Sequence, residues 1–377
     1  MWHHSAVQTP RKAWADNAKA ICVLLVVFNH ATGLYVAIEF NTYGHAWQMW
    51  NLIALALGPI RVPLFFVISG YFSRNSLSAP WKKVARPRLL KMLYVYTVWS
   101  LIFVGLFSTA IIFPLAEPDY SYRGLWRVLL PVNHLWYLYA LAVFFTVAKL
   151  VRRVPSPIII AGGALLFTVA EATWQPIPSG LIRYLFFYLV GAFAPSIVDR
   201  LTTRMPLAVW GALTVACVAA AVGIQRGGLG HNPFAVLSLS AMAVPAALQA
   251  ILRLDDINII SRPLSWLGQR TLPVYVMHIP LLAALFAGFD AVLTRRWSSG
   301  AASVVLATLP PAVTVAASAA ALLIYSLLVR SPGGKWLFDL PGTPHRFVGS
   351  SPDGKAGMVV GRLNGRVDEN TNRRRAA

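Results

Sequence analysis

The sequence predicts an all-α fold: a polytopic integral membrane protein of about ten transmembrane helices, with the N- and C-termini cytoplasmic. Three observations predict it. Of 377 residues, 57% are hydrophobic and only 12% are charged, about half the roughly 25% of a soluble domain, and the mean hydropathy is +0.60. The apolar residues gather into ten runs near the ~20 residues that a helix needs to cross a bilayer. Finally, 33 Lys and Arg against 13 Asp and Glu give a net charge of +20, and these cations fall between the apolar runs. The hydrophobicity excludes a disordered chain. The scatter of the cations argues against nucleic acid as a partner, because a nucleic-acid module concentrates its basic residues on one soluble face.

Taken in order, the runs lie near residues 18–37, 51–72, 90–114, 134–151, 157–174, 181–197, 206–224, 234–252, 271–292 and 303–329. The fifth, sixth and eighth are the least regular, with prolines, Glu171 or Arg183 crowding their ends. The start, MWHHSAVQTPRK, is polar and basic and leads into a full-length run, so no signal peptide is expected. Cys22 and Cys217 both fall inside runs. Two cysteines are too few for a disulfide framework and read as small apolar residues. With a cytoplasmic N-terminus, 25 of the 33 cations lie in cytoplasmic segments and six on the opposite side, while Lys19 and Arg61 lie within runs. That bias is the positive-inside pattern, and it supports both the orientation and an even number of spans. The membrane domain is expected over residues 1–330. Residues 331–377, polar and rich in Gly and Arg, are expected to form a disordered basic cytoplasmic tail.

Ionisable groups inside a bilayer are costly, so each is a candidate for function. In the first run Lys19 and His30 are eleven residues apart. At 100° per residue they differ by only ~20°, and Asp16 falls within ~40° of His30, so all three share one helical stripe. Such a stripe would line a passage towards a buried reactive centre; the structural alternative is an interfacial Asp16–Lys19 pair with His30 bonded to a neighbouring helix. In the second run Arg61 needs a partner, a substrate or water, and Pro63 loosens the backbone beside it. Ser69 and Gly70 in FFVISGY read as a small pair for close helix packing rather than as a nucleophile, since no G-x-S-x-G elbow surrounds Ser69. The stretch Trp81–Lys91 holds Lys83, Arg86, Arg88 and Lys91. These read either as positive-inside charge or as a holder of cofactor phosphates. His134 opens the fourth run among aromatic residues, and His278 lies between Pro273 and Pro280 with Tyr275 one turn earlier. Glu171 and Asp290 stand near outer ends of runs, as polar-acceptor contacts or interfacial anchors. No metal-ligand spacing, P-loop or dinucleotide fingerprint is present.

These segments, in this order, resemble the acyltransferase-3 family of membrane acyltransferases. The family's first-helix pattern of a basic residue, ten others and His is similar to DNAKAICVLLVVFNHA, with Lys19 where Arg is usual and His30 in register. This form looks most like the fucose 4-O-acetylase-type subgroup. PLFFVISGYFSR at 63–74, the basic run before the third helix, HLWYL at 134–138 and LGQRTLPVYVMHIPLL at 267–282 complete the ordered set. The resemblance covers roughly residues 16–330 and implies ten helices. It also implies transfer of an acyl group, acetyl above all, from cytoplasmic acyl-CoA to a hydroxyl of a cell-envelope glycan or glycolipid at the inner (plasma) membrane of a bacterium. Catalysis would then fall to His30, Lys19, Arg61 and His278, and CoA binding to Lys83, Arg86, Arg88 and Lys91. The acceptor would lie near His134, Tyr275 and Glu171, and no metal would be needed. An imidazole with a pKa near 6.5 suits the general base. Lys in place of Arg keeps the charge of position 19 but loses bidentate geometry. A multi-pass transporter or flippase of a lipid-linked sugar is the rival reading, since charges at mid-membrane depth also suit a substrate path.

Overall fold

The computed structural model describes residues 13–37, 46–108, 133–172, 179–293 and 299–342. Among them the chain is helical and holds no strand. The first helices are α1 (Ala13–Ala37), α2 (Ala46–Ala56), α3 (Gly58–Leu77) and α4 (Trp81–Val84). A π-helical stretch, Ala85–Leu90, joins α4 to α5 (Lys91–Ser108). Then follow α6 (Trp136–Val151), α7 (Ser156–Ala172), α8 (Ser179–Phe193), α9 (Pro195–Leu201), α10 (Leu207–Arg226) and α11 (Pro233–Leu254). The series ends with α12 (Asn258–Gly268), α13 (Thr271–Leu293) and α14 (Ser299–Leu328).

Each of the ten apolar runs overlaps a helix, the second lying across α2 and α3 and the sixth across α8 and α9. Among the described residues six helices are long and apolar enough to cross a membrane: Leu52–Leu77, Trp81–Phe107, Leu207–Arg226, Pro233–Leu254, Thr271–Gly288 and Ala307–Leu328. A seventh is the pair Leu181–Phe193 and Pro195–Leu201, bent by 85°. That bend has a local cause. Proline disfavours helical dihedrals in the residue before it, and Ala194 accordingly leaves the helix at φ −123°, ψ 54°. The fourth and fifth runs form shorter apolar helices, Trp136–Val151 and Ser156–Ala170. The basic stretch before the third run is not a loop. It winds continuously into α5, and the wider π turn carries Pro87, which has no N–H to give to the helical ladder.

Packing centres on α1, which touches α2, α3, α11, α12, α13 and α14. Its Ala18, Ala20, Val23, Val27 and Ala31 are wholly buried. Small residues also set the crossing of α3 and α8. A Cβ on Gly70 would run into the Tyr188 carbonyl, and one on Gly191 into the Val67 carbonyl, so the two backbones meet directly. The reading of Ser69–Gly70 as a packing pair therefore holds for Gly70.

At the far end of α3, Lys149 on the last turn of α6 is 1% exposed. Its ammonium donates to the carbonyls of Leu77 at 2.8 Å, Ala79 at 2.5 Å and Ser76 at 3.5 Å. A helix C-terminus leaves such carbonyls without internal partners, and a cation there completes them.

The packed unit extends to Pro341, beyond the expected boundary at residue 330. A short 3₁₀ turn, Gly334–Leu337, lies against α5. There the Trp99 indole donates to the Leu337 carbonyl at 2.7 Å, and Phe338 is buried between Trp99 and Tyr325. The rest of the expected tail, residues 343–377, lies outside the described residues.

Candidate active site

Continuity of α1 carries Lys19 and His30 on one helix, and α1 buries most of its surface, so His30 enters the centre of the helix packing. It opens onto a cavity of about 190 Å³. Five elements line that cavity: α1 with Asn29 and His30, α3 with Arg61 and Phe65, the entry to α6 with His134, Trp136 and Tyr137, α8 with Tyr184, and α13 with Tyr275.

Three imidazoles meet there. The His30 ring lies 5.0 Å from that of His134, edge to face at 75°, and 5.2 Å from that of His278, tilted by 44°. His278 is wholly buried. Its Nδ1 is 2.5 Å from the Tyr275 carbonyl. A carbonyl only accepts, so the proton is on Nδ1 and Nε2 offers a lone pair. That Nε2 has no hydrogen-bond partner among the described residues, which is a costly state for a buried polar atom and a common mark of a working site.

Tyr275 ties two of these groups down. Its hydroxyl donates to the His134 carbonyl at 2.8 Å and accepts from the Tyr137 amide at 3.3 Å. The turn that carries His134 is thereby pinned to α13, while the Tyr275 backbone carbonyl holds the His278 ring. Beside them Ser69 donates to the Phe65 carbonyl at 2.8 Å, and its oxygen is 2.8 Å from the Tyr137 hydroxyl. With the Ser69 proton committed to Phe65, Tyr137 is the donor of that second bond. Arg61 reaches the Ala54 carbonyl at 3.1 Å through one guanidinium nitrogen while lining the cavity. Trp136 and Tyr184 stack at 5.6 Å and close one wall.

The structure therefore gathers His30, Arg61, His134, Tyr275 and His278. It sets other predicted residues elsewhere. Lys19 shares the helix but lies about three turns away, 3.6 Å from the Asp16 carboxylate and 5.0 Å above the Phe72 ring. The basic cluster occupies the opposite end of α3 from Arg61. Arg86 donates to the Pro341 carbonyl at 2.7 Å, Arg88 to the Phe72 carbonyl at 3.2 Å and Ser76 Oγ at 3.4 Å, and Lys91 pairs with Asp339 at 3.0 Å. Lys83 is exposed on α4. Glu171 is in the last turn of α7, and its side chain lies outside the described residues, as does that of Asp290. Among the described residues no group of three or more His, Cys, Asp or Glu side chains is placed to hold a metal ion.

Sequence reasoning passed over Tyr137 and Tyr184 as site residues. Tyr137 read as part of an interfacial aromatic belt, and nothing in IRYLFFY separates Tyr184 from its neighbours.

Outside the apolar helices, two adjacent carboxylates follow α11. The Arg204 guanidinium, 2.5 Å from Asp256, holds that carboxyl below the usual range. Partial burial raises Asp255 instead, although it accepts a hydrogen bond from Asn17.

A family model described as an acyltransferase domain matches residues 12–330. A curated relative, inner membrane protein YcfT of Escherichia coli strain K12, is 26% identical over 218 residues, covering 52% of this chain and 60% of that protein. The alignment thus spans less than two thirds of the relative's length. No solved structure matches. The family model takes in α1 to α14 and with them every residue of the histidine cavity: the chain belongs to the acyltransferase-3 family of membrane proteins.

Proposed function

We propose that this protein is an inner-membrane O-acyltransferase, with ten spans and both termini cytoplasmic. It moves an acyl group, acetyl in the first instance, from cytoplasmic acyl-CoA to a hydroxyl of a cell-envelope glycan or glycolipid. One observation carries the reading: His30, at mid-length in a buried helix, faces a cavity that also holds an arginine and a ring of tyrosines. A lone imidazole in apolar packing needs only one partner. Here it has two further imidazoles against it and a void before it, the arrangement of a base that awaits a hydroxyl.

The steps follow from the groups present. His30 takes the proton of the acceptor hydroxyl as its oxygen attacks the thioester carbonyl. The new carbon–oxygen bond forms, the carbon–sulfur bond breaks, and the thiolate leaves with a proton returned through the imidazole. Arg61 offsets the negative charge that gathers on the carbonyl oxygen. His278, its Nδ1–H fixed on Tyr275, faces His30 as an acceptor. Aromatic walls from Trp136 and Tyr184 suit the apolar face of a sugar ring.

The basic cluster sets the reach. Arg88 bonds α3 at Phe72 and Ser76, so a donor held there must extend roughly 15–25 Å along α3 to reach the depth of Arg61, at 1.5 Å per residue. Lys83, Arg86, Arg88 and Lys91 would hold its phosphates, with Asp339 released from Lys91. Lys19, over the Phe72 ring, stands level with that cluster and serves there as a further charge for the donor rather than as a catalytic group.

The test is transfer of radiolabel from acetyl-CoA to envelope glycans in membranes holding wild type or His30→Ala. Transfer by wild type alone supports the reading, and equal transfer by both removes His30 from the mechanism. No transfer by either, across a series of short acyl donors, favours the transporter or flippase.

A further inference from the structure

The connection between α11 and α13 is a helix with two unlike faces. One face of α12 is fixed on α1. Ser261, Leu267 and Gly268 are buried, a Cβ on Gly268 would collide with the Asp16 carbonyl, and the Asn17 amide donates to Ser261 Oγ at 3.0 Å. The opposite face is apolar and bare. Ile259 is 84% exposed and Trp266 49%. On a helical projection these two fall within ~20° of each other, and Arg262 and Arg270 lie within ~60° of Ile259 on the same side. Arg270 stacks on Trp266, 4.4 Å from the ring, and donates to the Trp266 carbonyl at 3.0 Å. The carboxylates nearest the helix start are turned to other work, Asp256 with Arg204 and Asp255 with Asn17. The charge on the bare face is therefore that of Arg262 and Arg270.

Position decides what covers this face. α11 ends at Leu254 and α13 begins at Thr271, and both are long and apolar enough to span. The helix that joins them accordingly sits at the level where two spans enter and leave the bilayer. An isoleucine and a tryptophan flanked by arginines at that depth form the pattern of a helix lying in the plane of the interface.

We propose that α12 is an in-plane interfacial helix that sets Ile259 and Trp266 among the upper acyl chains and gathers anionic lipid headgroups through Arg262 and Arg270. Through Ser261 and Gly268 the same helix braces the head of α1, the helix that carries His30.

The test uses the full-length protein, with Cys22 and Cys217 replaced by Ala, a bimane label on Ile259→Cys, and reconstitution into phosphatidylcholine vesicles. Spin-labelled lipid with the label high on the acyl chain should quench the bimane strongly, and aqueous iodide weakly. The reverse order would overturn the in-plane placement. At equal mole fraction, spin-labelled phosphatidylglycerol should quench more than spin-labelled phosphatidylcholine, with local enrichment of roughly fivefold per arginine at low salt. That preference should shrink in Arg262→Gln, whose side chain is exposed and outside the packed face, and fade in high salt. Equal quenching by both lipids in the unmutated arginine background, or a preference unchanged in Arg262→Gln, would overturn the headgroup assignment. Neither readout depends on acyl transfer, so its failure is separate from failure of the enzymatic reading.

Discussion

Lys149, on the last turn of α6, and His30, well inside α1, are both ionisable groups enclosed by apolar helices, and the structure treats them in opposite ways. Around Lys149, three carbonyls at the end of α3 receive the ammonium, and Trp81 covers it with its ring 5.0 Å away. Around His30 the neighbours are two more imidazoles and an open volume. A buried polar group enclosed by complementary partners fixes structure. One that keeps a void before it has room for a partner, and that is the basis of the role proposed for His30. The contrast teaches that burial alone does not mark a candidate for function; what matters is whether the group's bonding capacity is closed within the fold.

That contrast can be broken experimentally. His30→Ala should lower acyl transfer by about 10²- to 10⁴-fold, the range of a general base, with thermal stability close to wild type in a fluorescence melt. Lys149→Met should act the other way round. It strands buried carbonyls, at about 1–3 kcal/mol for an unsatisfied group, so the melting temperature falls while turnover per folded molecule holds. Tyr275→Phe should fall between the two. Of the two hydrogen bonds lost, the one to the His134 carbonyl, about 1 kcal/mol net, holds the His134 turn, and its loss should lower kcat by roughly five- to tenfold, with KM for the acyl donor unchanged.

The smallest effect is expected at the surface pair. Asp256 has its carboxyl depressed by Arg204, so the pair stabilises the fold above the ordinary carboxylate range. That stabilisation is lost as pH falls through the depressed value. Asp256→Asn should therefore lower the melting temperature slightly at neutral pH and not at all in strong acid, measured along a pH series.

Much of this was readable from the chain. The apolar runs all fell in helical stretches because ~20-residue apolar segments have few other uses, although two of them are divided between helices, and the spacing of Lys19 and His30 placed them on one continuous α1. The assembly of the site was less legible. His30, His134 and His278 lie on three elements more than a hundred residues apart, and periodicity within a helix does not say which faces meet. Tyr275 was singled out for the acceptor, yet its hydroxyl is bonded to the backbone of α6, a contact that depends wholly on tertiary packing. The basic cluster shows the same limit. Charge density named Arg86, Arg88 and Lys91, but only the folded chain shows that Pro341, Phe72 and Asp339 already bond them. Past residue 330, glycines and charges masked the short run KWLF, whose Phe338 finds a berth on Trp99.

The glycine crossing of α3 and α8 has a mechanical corollary. Gly70 and Gly191 leave no side chain between the two backbones, so the pair behaves as one plank, and the groups it carries, Arg61 and Tyr184, keep a constant gauge. The other side of the cavity is tied differently: the turn that carries His134 is bonded to α13 through the Tyr275 hydroxyl and to α5 through the Asn133 amide, which donates to Ser100 Oγ at 2.7 Å. On the proposed reading, an acceptor therefore meets a chamber whose opposing walls are each fixed by the fold, and the gap between them sets the size it can have.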